Sequence, residues 1–273
     1  MITRGYRYRT RWVSLGIAGA IFGGQIGCAI YSDTSTTAAA KAVIKECVLP
    51  ADQKNTINGR WKVTPVPIAL HTGDFAAAEA AQIGAAASTW NDFYAASLGL
   101  ALIDAGADPA NPRTSDQAAP QAVCSSGLIQ NGKFSGQVLI YAKDTWPHPT
   151  LPTAMAITTF CPVPATPINS FYMAIIEINR QNYFSSGKKL PDLQTIVLHE
   201  FGHLLGLNHS CEGTPKEGVP NCNDPSLSSA YYSAVMYPVF GFYPSGQGEQ
   251  RRELADNDQG RANCLYQGTQ NTK

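Results

Sequence analysis

The sequence has no excess of either charge, few charged residues of any kind and little histidine. Its 273 residues carry 20 basic and 20 acidic side chains, and charged residues make up only 15% of the chain. With no basic excess, nothing points to nucleic acid as a partner. Long apolar runs are missing too. The most apolar stretch near the N-terminus, Trp12–Ile26, is broken by glycines and Gln25. It falls short of the roughly 20 strongly apolar residues that a membrane-spanning helix needs. Histidine occurs five times, and His71 and His148 lie far from each other and from the remaining three. Chemistry that needs several imidazoles is therefore confined to His199–His209.

What is present fits a folded, exported protein. Apolar residues at 44% suffice for a core, and the length admits one large domain or two small ones. Residues 1–27 read as an export leader: Arg4, Arg7, Arg9 and Arg11 form a basic segment that leads into the apolar run, with no acid among them. Without those arginines the remaining body is mildly acidic, at about −4. Gln25-Ile26-Gly27-Cys28 resembles a bacterial lipoprotein cleavage box, although Gln25 stands where an aliphatic residue is usual. Three outcomes stay open here: lipid attached at Cys28, simple cleavage and release, or a retained anchor. The export reading places the protein at a bacterial cell surface or outside the cell. The small and polar residues of 28–46 read as a flexible tether.

Setting Cys28 aside leaves Cys47, Cys124, Cys161, Cys211, Cys222 and Cys264. Six cysteines permit three disulfides in an oxidising compartment, with fifteen connectivities. Cys211 and Cys222 bracket a loop rich in Gly, Pro and Asn and form the nearest local pair.

The stretch His199-Glu200-Phe201-Gly202-His203-Leu204-Leu205-Gly206-Leu207-Asn208-His209-Ser210 carries the chemistry. On a helix, residues four apart share a face, so His199 and His203 can converge on one ion. Glu200 follows the first histidine directly, which lets its carboxylate reach a metal-bound water instead of the metal. Gly206 permits the sharp turn that brings His209 back as a third ligand. Three neutral imidazoles leave a fourth tetrahedral position open, as a catalytic zinc requires. Two histidines four apart arise often by chance. Three histidines, a glutamate and a glycine in this order do not.

That stretch resembles the extended zinc signature of the metzincin peptidases, and Ser210 after the third histidine is similar to their matrixin branch. Ser233-Ala234-Val235-Met236-Tyr237-Pro238 resembles the Met-turn of that branch, and Leu254–Gly260 with Leu265-Tyr266 resembles its closing helix. The resemblance implies one metzincin-like catalytic domain over 47–273, of zincin-like α+β class. It implies a twisted, mostly parallel sheet of about five strands with an antiparallel edge strand, an active-site helix, a backing helix and a C-terminal helix. It implies one catalytic zinc on His199, His203 and His209, Glu200 as general base, and Met236 as the floor of the site. Tyr237 and Pro238 would wall a substrate pocket. A tyrosine that reaches zinc in two neighbouring branches has Pro238 at its position here, so Tyr237 is not read as a ligand. Animal matrixins often hold a second, structural zinc on three histidines and an aspartate, which this chain lacks the histidines to build. Asp-rich loops leave calcium open, but no ligand pattern supports it. Cys47 does not match the latency motif of matrixin propeptides and reads as a disulfide cysteine.

Along the chain, Trp61–Val63 and Val66–Leu70 read as strand, and Asp74–Ala96 as a helix with Asp74 near its N-cap. Trp90, Phe93 and Tyr94 are expected to turn toward the sheet. Residues 107–135 read as a long surface loop tied down by Cys124. Strands are expected at Gln137–Ala142, Ala154–Phe160 and Phe171–Asn179, the last buried on both faces. The resemblance makes Ala154 and Ala156 part of an edge strand that pairs with extended substrate; an ordinary edge strand is the plain alternative. Pro191 and Asp192 suit a helix start. Residues 210–235 form a longer connection than matrixins use. The expected function is a zinc-dependent, monomeric endopeptidase acting on extracellular or surface proteins. Its rivals are a non-catalytic zinc-stabilised surface binding lipoprotein on the same scaffold, and a zincin whose third ligand is a distant glutamate.

Overall fold

The computed structural model describes residues 42–119, 129–130, 133–134, 138–163, 165, 168–185 and 187–267. The leader, Cys28, most of the tether and Cys124 lie outside the described residues. After a 3-10 turn at Ala51–Gln53 come β1 (Gly59–Trp61), β2 (Val66–His71) and α1 (Ala77–Leu98). Short strands follow: β3 (Ile103–Asp104), β4 (Thr114–Ser115), β5 (Ile129–Gln130) and β6 (Lys133–Phe134). The long strands β7 (Val138–Lys143), β8 (Ala156–Val163) and β9 (Asn169–Asn179) precede α2 (Leu193–Leu205), α3 (Ser229–Tyr232) and α4 (Asp256–Tyr266).

Seven strands form one open sheet in the order β1-β9-β7-β2-β3, with β4 added to β2 and β8 to β9. Every pairing in it is parallel except β8 with β9. The antiparallel edge strand is thus present, whereas the expected count of about five falls short by two. β3 and β4 are the strands without a sequence expectation, because two residues show no period of their own, and the strand expected from Trp61 instead ends there as β1. β4 and the β5–β6 ladder also interrupt the stretch 107–135 expected to be loop throughout.

β9 is buried on both faces, as its continuous apolar run implies. Ala174, Ile176 and Ile178 join the main core with α1 and α2, while Met173 and Ile175 pack with Ala69, Leu139 and Tyr141 on the other side. Helix α1 backs the site helix. Its Trp90 is fully buried and donates its indole N–H to Leu198 O at 2.9 Å, and Tyr94 donates to Ala262 O at 3.1 Å. These rings therefore tie α1 to α2 and α4, besides filling the core near the sheet.

Asp74 is not the cap of α1. Ala76 occupies that place, and its N–H donates to Glu79 Oε2 at 2.8 Å; alanine offers no oxygen in return. Asp74 instead accepts from His71 Nδ1 at 2.9 Å and from Ala142 N at 2.8 Å, joining the ends of β2 and β7. At α2 the cap is Asp192, whose carboxylate accepts from Thr195 N at 3.0 Å and from Arg252 Nε at 3.0 Å. Pro191 therefore sits one residue ahead of the cap.

Candidate metal centre

Helix α2 ends at Gly206, whose φ of 111° lies in the left-handed region. A Cβ there would also fall 1.8 Å from Gly59 O, so glycine is demanded twice. The reversal lets the chain return and sets His209 beside the helix. Ring centroids are 4.8 Å apart for His199 and His203, 5.2 Å for His199 and His209, and 4.8 Å for His203 and His209. One ring nitrogen from each lies within 4.8 Å of the others. The structure thus brings all three sequence-predicted ligands together.

The outer partners decide which nitrogen faces inward. His199 Nδ1 is 2.7 Å from Val235 O, His203 Nδ1 is 2.8 Å from Leu207 O, and His209 Nδ1 is 3.3 Å from Glu212 Oε1. Carbonyl and carboxylate oxygens only accept, so each Nδ1 must carry the hydrogen. Nε2 is then left with its lone pair, the tautomer a metal ligand needs. Burial, reinforced by the neighbouring imidazoles, pushes His199 well below its ordinary value. Burial and the nearby His209 push His203 down to about 3. Neutral, converging imidazoles with outward N–H donors could together hold a metal ion.

Glu200 is 5% exposed. Burial pushes its carboxyl up to about 7, against the opposing effect of a hydrogen bond from Thr158. That bond, Thr158 Oγ1 to Glu200 Oε2 at 2.7 Å, links edge strand β8 to the site helix. Thr158 lies within the strand expected at Ala154–Phe160, but nothing in the sequence assigned its hydroxyl a task. Glu212 and Asp258 were missed likewise.

Met236 is fully buried, with its sulfur against Gly202: a Cβ on that glycine would lie 2.2 Å from Sδ. Asp258 anchors the turn by accepting from Val235 N at 2.8 Å, Met236 N at 3.1 Å and Ala255 N at 3.0 Å. Met236 O in turn accepts from Ser210 N at 2.9 Å, next to His209. The turn therefore reaches His199 itself, Gly202 beside His203 and Ser210 beside His209.

The pocket residues are placed less uniformly. Ala156 opens β8 opposite Ile178. Ala154 lies before the strand, and both its main-chain groups are engaged: its N–H with Leu151 O at 3.1 Å and its carbonyl with Asn179 Nδ2 at 2.8 Å. Tyr237 lies under the Arg251 guanidinium, 5.3 Å from its ring centroid, and Pro238 is buried beside it. The other two histidines are half-buried and paired, His71 with Asp74 and His148 with Glu177 Oε2 at 2.7 Å. Disulfides join Cys47 to Cys264 and Cys211 to Cys222, the second being the expected local pair; Cys161 is also disulfide-bonded. No protein-family model matches this chain, and no curated protein matches it significantly.

Proposed function

We propose that the protein is a zinc-dependent endopeptidase of the metzincin type, close to the matrixin branch. The observation that carries this reading is the convergence of three Nε2-presenting histidines beside a buried carboxylate that follows His199 directly on α2. His199, His203 and His209 would hold the ion. When bound, zinc supplies a Lewis acid that polarises a carbonyl and makes water more acidic.

Glu200 accepts a proton from water and returns it to the leaving amine. In the metal-free protein, burial pushes its carboxyl up to about 7, so the side chain is able to hold a proton as well as accept one near neutral pH. Thr158 holds one carboxylate oxygen, leaving the other to work. The outer side of β8, which pairs only with β9 among the described residues, receives an extended peptide as an added strand. Tyr237 and Pro238 border the pocket for a substrate side chain. The substrate is a protein or peptide. The two disulfides suit an oxidising compartment outside the cytoplasm, and no described helix is long and apolar enough to cross a membrane. Lipid attachment at Cys28 is part of the same reading.

The test is digestion of an unstructured protein mixture by wild type and Glu200→Gln, with bound zinc quantified and cut sites read by mass spectrometry. Wild type should cut and the variant should not, while both keep one zinc. Equal zinc with no cutting by either would reject the peptidase in favour of a zinc-stabilised binding protein.

A further inference from the structure

The proposed function makes no use of the disulfide-closed loop 211–222, which begins two residues after His209. Cys211 is fully buried and bonded to Cys222. Between them the main chain of Glu212 is gripped on both sides: its N–H donates to Pro220 O at 2.9 Å, and its carbonyl accepts from Cys222 N at 2.8 Å. The loop is fastened in turn to the N-terminal segment, through Asn55 N to Gly218 O at 3.0 Å and Lys54 to Glu217 at 2.8 Å. From this fixed base the Glu212 carboxylate takes the Nδ1–H of His209.

His199 and His203 need no such help. Both lie on α2, and main-chain carbonyls of buried Val235 and Leu207 hold their outer nitrogens. His209 belongs to no helix or strand and is oriented through a side chain. A glutamate on a free loop would lose much of its time to other rotamers, so the contact depends on the main chain being held. A carboxylate on the outer nitrogen also makes the inner one a more basic ligand.

We propose that Glu212 is the positioning residue for His209, and that the Cys211–Cys222 bond keeps it in place, so that zinc affinity depends on the closed loop. The proposal rests on the metal-site reading but not on peptidase activity.

Chelator competition for zinc at neutral pH tests this, beside the thermal midpoint of each metal-free protein. Glu212→Ala should weaken zinc by about tenfold or more, the usual effect of losing such a partner, with little change in midpoint because the side chain is half-exposed. Glu212→Gln, whose amide oxygen still accepts, should recover part of the loss. Cys211→Ala with Cys222→Ala should weaken zinc similarly, and Glu212→Ala in that background should add little. Wild-type affinity in Glu212→Ala overturns the proposal, as does a full additional loss in the background lacking the Cys211–Cys222 bond. Should that double variant not fold, the alanine and glutamine variants of Glu212 still decide the first half. Wild type that binds no zinc would remove the metal site itself, a separate and visible failure.

Discussion

The hydroxyl of Thr158 lies 2.7 Å from Glu200 Oε2 and 3.2 Å from the carbonyl oxygen of the same residue. One proton thus has two acceptors on Glu200. It can serve the ionised carboxylate, or turn to the carbonyl and let a protonated Oε2 donate to Oγ1. Thr158→Val keeps the shape and deletes the hydroxyl. Cleavage should fall about tenfold, on the order of one hydrogen bond to a charged group. Zinc content and KM should hold, and Thr158→Ser should restore the rate. A valine variant as fast as wild type would leave the hydroxyl without a role.

Acid should loosen the metal-free protein. Burial holds His199 and His203 below the ordinary value of 6.5, so the unfolded chain binds protons there that the folded chain refuses. Stability contributed by these neutral groups is complete above 6.5 and drains away as pH falls toward about 3, the folded value for His203. The thermal midpoint of the metal-free protein, followed across that window, should drop more steeply for wild type than for His203→Gln. Parallel curves would contradict the assignment. Bound zinc should flatten the wild-type curve until the metal is released.

At Gly202 the site helix packs directly against Met236. A methyl group added there would meet Met236 Sδ at 2.2 Å and Trp90 at 3.2 Å. Both neighbours are fully buried and have little room to yield. Gly202→Ala should cost about 1–3 kcal/mol, the usual penalty for overpacking, read as a lower urea midpoint at unchanged slope. A variant as stable as wild type would mean that Met236 can move aside.

The local code was open to reading where spacing alone sets geometry. Residues four apart on a helix must share a face, so His199 and His203 were assignable before any fold was known, and Gly206 announced the reversal that brings in His209. The apolar run of β9 declared a strand covered on both sides. Element edges were less legible. Asp74 has the right chemistry for a helix cap, yet it binds His71 and Ala142, because a short acid near a strand end meets whichever donors the sheet supplies.

The sequence by itself determined the three imidazoles, the neighbouring carboxylate and the turn between them, since all depend on contacts within one short segment. Tertiary structure decided what holds them in working form. Thr158 reaches Glu200 across 42 positions, Val235 reaches His199 across 36, and Asp258 reaches Val235 across 23. Such pairings depend on how strands and helices are stacked, and no periodicity within either segment encodes them.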